Sequence, residues 1–156
     1  MGLALAVVPF FIFAGRPVVQ ELNFKELVFQ ASHIVTAQYL KSKKIKLING
    51  CEDEVHEIKI EKVHKALDQK IKNLEVIEVS INPMGLEDCH YRSKSTGKGV
   101  SFSAQRYNGG LELASIKTKQ KYIYFLSKSR FSENPWSLVV NGAILSHSLE
   151  KKIQEM

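Results

Sequence analysis

Apolar and polar residues alternate along much of the chain after position 33. In residues 55–63, Ile58 and Ile60 share one face and charged residues occupy the other. This pattern is typical of a half-buried strand in an antiparallel sheet. Val63 is out of phase with the apolar face, which predicts a β-bulge near residues 61–62.

Three further segments are predicted to be strands. Residues 34–48 read as one long strand, bent or bulged near Ser42, and the turn-forming pair Asn49-Gly50 should reverse the chain after it. Residues 74–81 form another strand candidate. Residues 121–126 are the most hydrophobic stretch outside the amino terminus, so they are predicted to be a central strand buried on both faces.

Turn signals also predict two short hairpins in the second half of the chain. The first joins residues 100–107 to 111–116 through the turn at 108–110. The second joins residues 136–140 to 143–145 through Asn141-Gly142. Residues 86–99, between the strand candidate 74–81 and the first hairpin, are rich in small and polar residues and are predicted to form a mobile surface loop.

Helices are predicted only near the two ends of the chain. Apolar residues in 23–32 recur with helical spacing behind Asn23, which is placed as an N-cap. Residues 149–156 are charged and compatible with a helix. Together these elements predict a mainly β domain, a small antiparallel β-barrel or sandwich with one short helix at each end.

Residues 3–14 are uncharged and have about the length of a signal-peptide core, shorter than the roughly 20 residues of a membrane-spanning helix. We therefore interpret 1–14 as a signal-peptide segment, with the mature chain starting at Gly15 or Arg16. A buried amino-terminal strand is the alternative, although Pro9 disfavours a central one. The interpretation predicts a secreted or periplasmic protein with one domain over 15–156.

The composition of the 156 residues is that of a globular protein, with 44% hydrophobic and 24% charged residues and only 9 glycines and 4 prolines. These values exclude a collagen-like or disordered chain. Cys51 and Cys89 are the only two cysteines. In an oxidising compartment they are expected to form a disulfide, and two unrelated thiols are the alternative.

Three segments, residues 26–40, 55–65 and 121–126, resemble the helix and strands of netrin modules and of the amino-terminal domain of tissue inhibitors of metalloproteinases. The resemblance implies an OB-type barrel, as in small exported bacterial domains similar to them. In the inhibitors an amino-terminal cysteine binds the target's zinc. Here the first cysteine is Cys51, so inhibition by that route is not expected.

Possible catalytic and metal-binding groups lack the spacing of known sites. Zinc-type ligands are present but form no Cys-x2-Cys or His-x3-5-His unit, and a disulfide would consume both sulfurs. Residues 95–99 match only part of the phosphate-binding loop motif. Residues 146–148 contain two serines and a histidine but lack a nucleophile-elbow motif. The sequence predicts no catalytic residue, no metal and no cofactor. The zinc-type ligands considered are Cys51, His56, His64, Cys89 and His90.

Lysine and arginine exceed aspartate and glutamate by 22 to 16, for a formal charge of +6. The preferred hypothesis is an exported non-enzymatic domain that binds a protein or an envelope component. The alternative is an anion-binding module for single-stranded nucleic acid or acidic polysaccharide. On an OB-type barrel the ligand face would use aromatic and cationic side chains, although strand tyrosines also serve as packing residues. The candidates are Tyr39, Tyr91, Arg92, Tyr107, Tyr122 and Tyr124.

Overall fold

The computed structural model describes residues 18–68, 71–73, 75–94 and 103–156. The proposed signal-peptide segment 1–14 and the glycine-containing segment 95–99 lie outside them. The strands are β1 (Val18–Glu21), β2 (His33–Lys46), β3 (Glu52–Ala66), β4 (Val76–Ser80), β5 (Ser103–Arg106), β6 (Lys121–Lys128), β7 (Trp136–Leu138) and β8 (Ile144–Ser146). The α-helices are α1 (Phe24–Gln30), α2 (Pro83–Lys94) and α3 (Glu150–Gln154).

The main sheet contains six strands in the order β2-β3-β4-β7-β6-β8, and β2 also pairs with β6. The pairings β2-β3-β4-β7-β6-β2 therefore form a closed ring. The fold is mainly β, as predicted, but the prediction of an antiparallel sheet was wrong in part. β4 and β7 run parallel, and so do β1 and β5 in a separate two-stranded sheet. Alternation shows which face of a strand is buried, not the direction of its partner.

The predicted central strand is confirmed in β6. Residues 122–126 are all buried in the main hydrophobic core, and β2 pairs with one edge of the strand while β7 and β8 pair with the other. Tyr124 and Phe125 are the largest fully buried side chains. They belong to the main hydrophobic core, to which residues of α1 and of the strands of the ring contribute.

Helix α1 begins as predicted at Asn23. The Asn23 side chain accepts a hydrogen bond from the Glu26 N–H, and the Glu26 side chain accepts one from the Asn23 N–H, each at 3.0 Å. This reciprocal capping satisfies two helix-end donors. Leu27 is fully buried against the sheet, whereas Phe29 is 85% exposed.

The hairpin between β2 and β3 is confirmed as well. Gly50 has a φ of 82°, a conformation that glycine adopts without strain. The β2–β3 register shifts opposite Thr36/Ala37, where Glu61 is the extra residue of β3, so the predicted bulge is present. A further shift falls at Leu40, two residues before the predicted bend at Ser42.

Helix α2 replaces most of the predicted surface loop at 86–99, so that prediction was wrong as far as Lys94. Pro83 is the first residue of the helix, where its missing N–H costs nothing. The Asn82 Oδ1 accepts hydrogen bonds from the Gly85 N–H at 3.0 Å and from the Asn141 Nδ2 at 2.8 Å. The capping asparagine therefore joins α2 to the chain after β7.

Replacing Asn82 with alanine is expected to destabilise the protein by about 1–2 kcal/mol, since it removes the cap and leaves the Asn141 amide without this acceptor. Urea unfolding at neutral pH measures the change. Asn82→Asp keeps an oxygen acceptor at the cap and should recover most of the loss. Equal losses in both variants would show that the cap is not the cause.

Both hairpins predicted for the second half of the chain were wrong. In the first, residues 100–102 lie outside the described residues, and β5 pairs with β1. Residues 113–115 form a 3-10 helix, so the predicted partner strand is not formed.

In the second hairpin, β7 and β8 both run antiparallel to β6 along the same edge, so they follow one another and do not pair. Gly142, with a φ of 81°, allows the bulged connection between them. The turn-forming residues 141–142 therefore separate two strands, β7 and β8, that continue along the same edge of β6.

The carboxyl-terminal helix is present as α3. Among the described residues, no helix combines the length and apolar character needed to cross a membrane.

Candidate functional site

The six residues predicted to form a ligand face do not meet on one surface. Tyr122 and Tyr124 are buried, and Tyr39 and Tyr107 are half-buried and pack against the main core. Tyr91 and Arg92 lie on α2, where they are exposed. The alternation of apolar and polar residues predicted that tyrosines lie on strands, but it did not show whether each side chain faces the core or the solvent.

Tyr124 belongs to an interior aromatic group with Tyr39 and His56. The His56 ring centroid lies 4.6 Å from that of Tyr39 and 6.2 Å from that of Tyr124, and the His56 Nδ1 is 3.3 Å from the Tyr124 hydroxyl. Burial lowers the pKa of His56 to about 4 and raises the pKa of Tyr124. Both shifts reflect the cost of a charge in an apolar interior, so this group packs the core.

Tyr122 also has a structural role. Its hydroxyl accepts a hydrogen bond from the Lys117 N–H at 2.8 Å and donates one to the Gln120 side chain at 3.1 Å. These bonds hold the turn that precedes β6. The hydroxyl is therefore engaged within the chain.

Tyr91 and Arg92 lie beside a cleft that the sequence analysis did not anticipate. Tyr91 and His90 pack against Phe131, with ring centroids 6.1 Å and 4.8 Å from it. Arg92 forms an ion pair with Asp88 one helical turn earlier, at 2.9 Å. Phe131 connects this aromatic group to the cleft.

This cleft, called the α2 cleft below, has a volume of about 630 Å³ and separates the first half of α2 from β5 and from the chain around β6 and β7. That volume is in the range of small-molecule sites. Its polar lining residues are Gln30, Ser80, Glu87, Ser103, Gln105, Ser127, Lys128, Ser129, Arg130 and Ser137. The other described lining residues are Pro83, Met84, Leu86, Ala104, Phe131, Leu138, Val139 and Val140.

The disulfide holds one wall of the α2 cleft in place. Cys51 and Cys89 are bonded, as predicted, with their Cα atoms 5.9 Å apart. The bond joins α2 to the hairpin between β2 and β3. Around it Leu47, Cys51 and the cleft residue Leu86 form a small second core, against which Phe131 packs.

The opposite wall is fastened by a buried carboxylate. Asp53 is fully buried, and its Oδ1 accepts a hydrogen bond from the Ser80 hydroxyl at 2.6 Å. Its other oxygen, Oδ2, accepts one from the Ser132 hydroxyl. The Ser132 N–H in turn donates to Ser129, which lines the cleft. These bonds hold the segment after β6 against β3 and β4, so both walls are fixed.

Several lysines of the main sheet are paired with glutamates, whereas, among the described residues, the two cations of the cleft are not. Three lysines of β2 are paired with glutamates: Lys41 with Glu57, Lys43 with Glu78 and Lys44 with Glu52. Lys62 and Lys121 are paired similarly, with Glu150 and Glu61. In the described part of the chain, no carboxylate lies within ion-pair distance of the cleft residues Lys128 and Arg130.

A serine, a histidine and an aspartate also meet near the start of β2. Ser32 Oγ lies 3.0 Å from the His33 Nδ1, and the His33 Nε2 lies 3.0 Å from an Asp68 carboxylate oxygen. The Ser32 hydroxyl, however, donates to the Leu126 carbonyl at 3.1 Å. The His33 Nε2 also lies 3.0 Å from the Asp68 carbonyl oxygen. This group therefore anchors the start of β2 to β6 and to the segment after β3.

The serines at 146 and 148 do not form a triad with their histidine neighbour. Their hydroxyls lie 2.9 Å apart, and Ser146 caps the following 3-10 helix. His147 instead lies 2.8 Å from Glu150, which also contacts Lys62 and His64. The hydrogen bond from Lys62 lowers the pKa of Glu150, and burial lowers that of His64. This group fastens α3 to β3.

The zinc-type ligands found in the sequence are separated in space. The disulfide takes both cysteines, and His56 packs between tyrosines. Over the residues that the structure describes, no three histidine, cysteine, aspartate or glutamate side chains are grouped as ligands for a metal ion.

Comparison with protein-family models, curated proteins and solved structures finds no match in any of the three. The site must therefore be interpreted from its own chemistry. The cleft residues Lys128 and Arg130 were missed, although the alternating Ser-Lys-Ser-Arg at 127–130, directly after the most hydrophobic strand, is a visible signal. The serines from β4 and β7 carry no such signal, because only the sheet brings them together.

Proposed function

We propose that this chain is an exported, non-enzymatic binding domain of the OB type, and that the α2 cleft is its ligand site. The main support for the proposal is the cleft, which is open and has the volume of a small-molecule site. The disulfide fixes one of its walls, and the hydrogen bonds of Asp53 fix the other. Rigid walls favour binding because little conformational entropy is lost when a ligand enters. The partner is a component of the cell envelope or a protein segment.

The order of strand pairing supports the OB type. Five strands, β2-β3-β4-β7-β6, close a ring, and α2 lies in the chain between the third and fourth of them along the sequence. OB-type domains are five-stranded barrels of this kind. The parallel pair β4–β7 departs from the purely antiparallel barrel that we predicted. A relationship to netrin-like domains is part of the proposal and rests on the sequence segments alone.

Two observations support export. The apolar segment 3–14 has the length of a signal-peptide core, and disulfides persist mainly in oxidising compartments. Amino-terminal sequencing of the protein recovered outside the cytoplasm should then begin at Gly15 or Arg16. Recovery of the chain only from the cytoplasm, with both thiols free, would contradict export.

A titration with small fragments tests the binding function. We expect sugars, sugar acids, phosphates and dipeptides that bind to shift the backbone amide signals of cleft residues such as Ser127 and Val139 in ¹⁵N correlation spectra. The signals of Lys41 and Lys44, far along the β2–β3 hairpin, serve as the internal control. Binding that maps to other surfaces, or a complete lack of binding, would contradict the proposal.

The non-enzymatic part is tested separately. A fluorophosphonate, which labels activated serines, should not label Ser32, Ser146 or any cleft serine, because the Ser32 hydroxyl donates to the Leu126 carbonyl and the Ser146 and Ser148 hydroxyls are hydrogen-bonded to each other. Stoichiometric labelling of one serine, abolished by its replacement with alanine, would instead indicate a hydrolase.

A further inference from the structure

We propose that the ligand of the α2 cleft is an acidic oligosaccharide, whose acidic groups bind Lys128 and Arg130 and whose hydroxyls bind the serine and amide side chains of the lining. The inference rests on the proposed binding function of the cleft and adds the class of ligand. Carboxylated and sulfated sugars share the chemistry that the cleft recognises.

The first argument is the balance of charge. Lysines on the β2–β3 hairpin face glutamates on neighbouring strands, so their charges are largely neutralised. Lys128 and Arg130 line a concave surface and have no carboxylate within ion-pair distance among the described residues. An anion entering the cleft would supply the missing partner, and a carboxylate can form charge-assisted hydrogen bonds with both side chains.

The second argument is the number of neutral hydrogen-bonding groups. Five serines and two glutamines line the cleft. The Ser80 and Ser137 hydroxyls donate within the protein, to Asp53 and to the Leu138 carbonyl, and the Gln30 amide donates to Gln105. Among the described residues, the hydroxyls of Ser103, Ser127 and Ser129 keep a hydrogen to donate to a ligand, and each can also accept. Sugar hydroxyls have the same dual capacity. Glu87, the one carboxylate among the described lining residues, can accept a hydrogen bond from a sugar hydroxyl.

The third argument is the apolar surface beside these polar groups. Phe131 lines the cleft, is half-buried and packs against His90, 4.8 Å away between ring centroids. An aromatic ring of this kind can contact the C–H face of a pyranose ring. Single-stranded nucleic acid would instead need several exposed aromatic rings in succession, whereas Tyr122 and Tyr124 are buried. The lining therefore favours a sugar over a nucleic acid.

Isothermal titration of the disulfide-bonded protein with tetragalacturonate tests this inference. The fully methyl-esterified tetrasaccharide is the matched ligand control, because it keeps the sugar and removes the charge. Oligothymidylate and a sulfated oligosaccharide complete the comparison. We expect tetragalacturonate to bind at least about tenfold more tightly than its ester, since charge-assisted hydrogen bonds are worth about 1.5–3 kcal/mol each.

A pair of double variants locates the binding. K128Q/R130Q should weaken tetragalacturonate binding at least about tenfold. K117Q/K151Q removes the same charge from exposed lysines that do not line the cleft and should change binding less than about twofold. All four side chains are exposed, so both variants should retain the fold, which circular dichroism checks.

Several results would overturn the inference. Equal weakening in the two double variants would show attraction by net charge only. Tighter binding of oligothymidylate than of either acidic sugar would identify a nucleic-acid site. If acidic sugars fail to bind while other fragments still map to the cleft, the ligand class is wrong and the binding function stands. If no fragment binds in the cleft, both the ligand class and the proposed binding function are wrong. Preference for the sulfated over the carboxylated sugar supports the inference and identifies the acidic group.

Discussion

Replacing Cys51 and Cys89 together by alanine is expected to lower the free energy of unfolding by about 3–4 kcal/mol. The bond closes a loop with a sequence separation of 38 residues, and the loop-entropy relation assigns a cross-link of that size about this stabilisation. The loss is large because small domains are stable by only about 5–15 kcal/mol. Urea unfolding of the wild type and the double variant measures it.

The same variant should destabilise α2 more than the sheet. The disulfide anchors the middle of this helix to the β2–β3 hairpin, whereas α1 is anchored by its capping box and by Leu27. Hydrogen exchange should therefore accelerate more at the amides of α2 than at those of α1. A difference in unfolding free energy below about 0.5 kcal/mol, or two reactive thiols in the denatured unreduced wild type, would contradict the structural role of the bond.

Acidification should destabilise the protein through His56 by about 2–3 kcal/mol between pH 7.5 and pH 4.5. Burial lowers the folded-state pKa of this histidine from 6.5 to about 4, so only the unfolded chain takes up the proton as the pH falls through 6.5. The unfolded state then binds more protons than the folded state, and stability decreases with decreasing pH. The contribution is fully present above pH 6.5 and continues to fall until about pH 4.

Unfolding free energies of the wild type and of His56→Gln at both pH values isolate this effect, because glutamine does not titrate. The wild type should lose about 2–3 kcal/mol more than the variant on acidification. Tyr124→Phe, which removes the neighbouring hydroxyl but keeps the imidazole, should retain the wild-type pH dependence. His64 and Glu150 also have lowered pKa values and contribute to the loss in every variant. Parallel pH profiles for the wild type and His56→Gln would refute the assignment.

The local elements of the fold were predictable where short-range chemistry determines them. The Asn49-Gly50 turn depends on backbone conformations that these residues adopt readily, and α1 begins at a capping asparagine followed by a helical apolar stripe. The same reasoning failed at residues 141–142. There the turn residues connect β7 to β8 along one edge of β6, and whether a turn closes a hairpin depends on the partners available to the flanking strands.

The candidate site was predictable only in small part. Tyr91 and Arg92 were selected from the sequence and lie beside the α2 cleft. The other four candidates pack in or against the main core, and the Tyr122 hydroxyl also binds the turn before β6. The cleft itself is lined by α1, α2 and β4 to β7 and by the connecting segments. Its serines come from positions 80 to 137, and no local pattern relates such distant positions to one another.

The sequence by itself determined which segments alternate, where the β2–β3 hairpin turns, where α1 begins and which cysteines can pair, because each depends on neighbouring residues or on a single possible partner. The tertiary structure alone decided the parallel pairing of β4 with β7, the helical state of α2 and the formation of the cleft. Strand periodicity leaves the partner and its direction undetermined, and α2 depends on the disulfide and on Asn141 to stabilise a segment of small and polar residues.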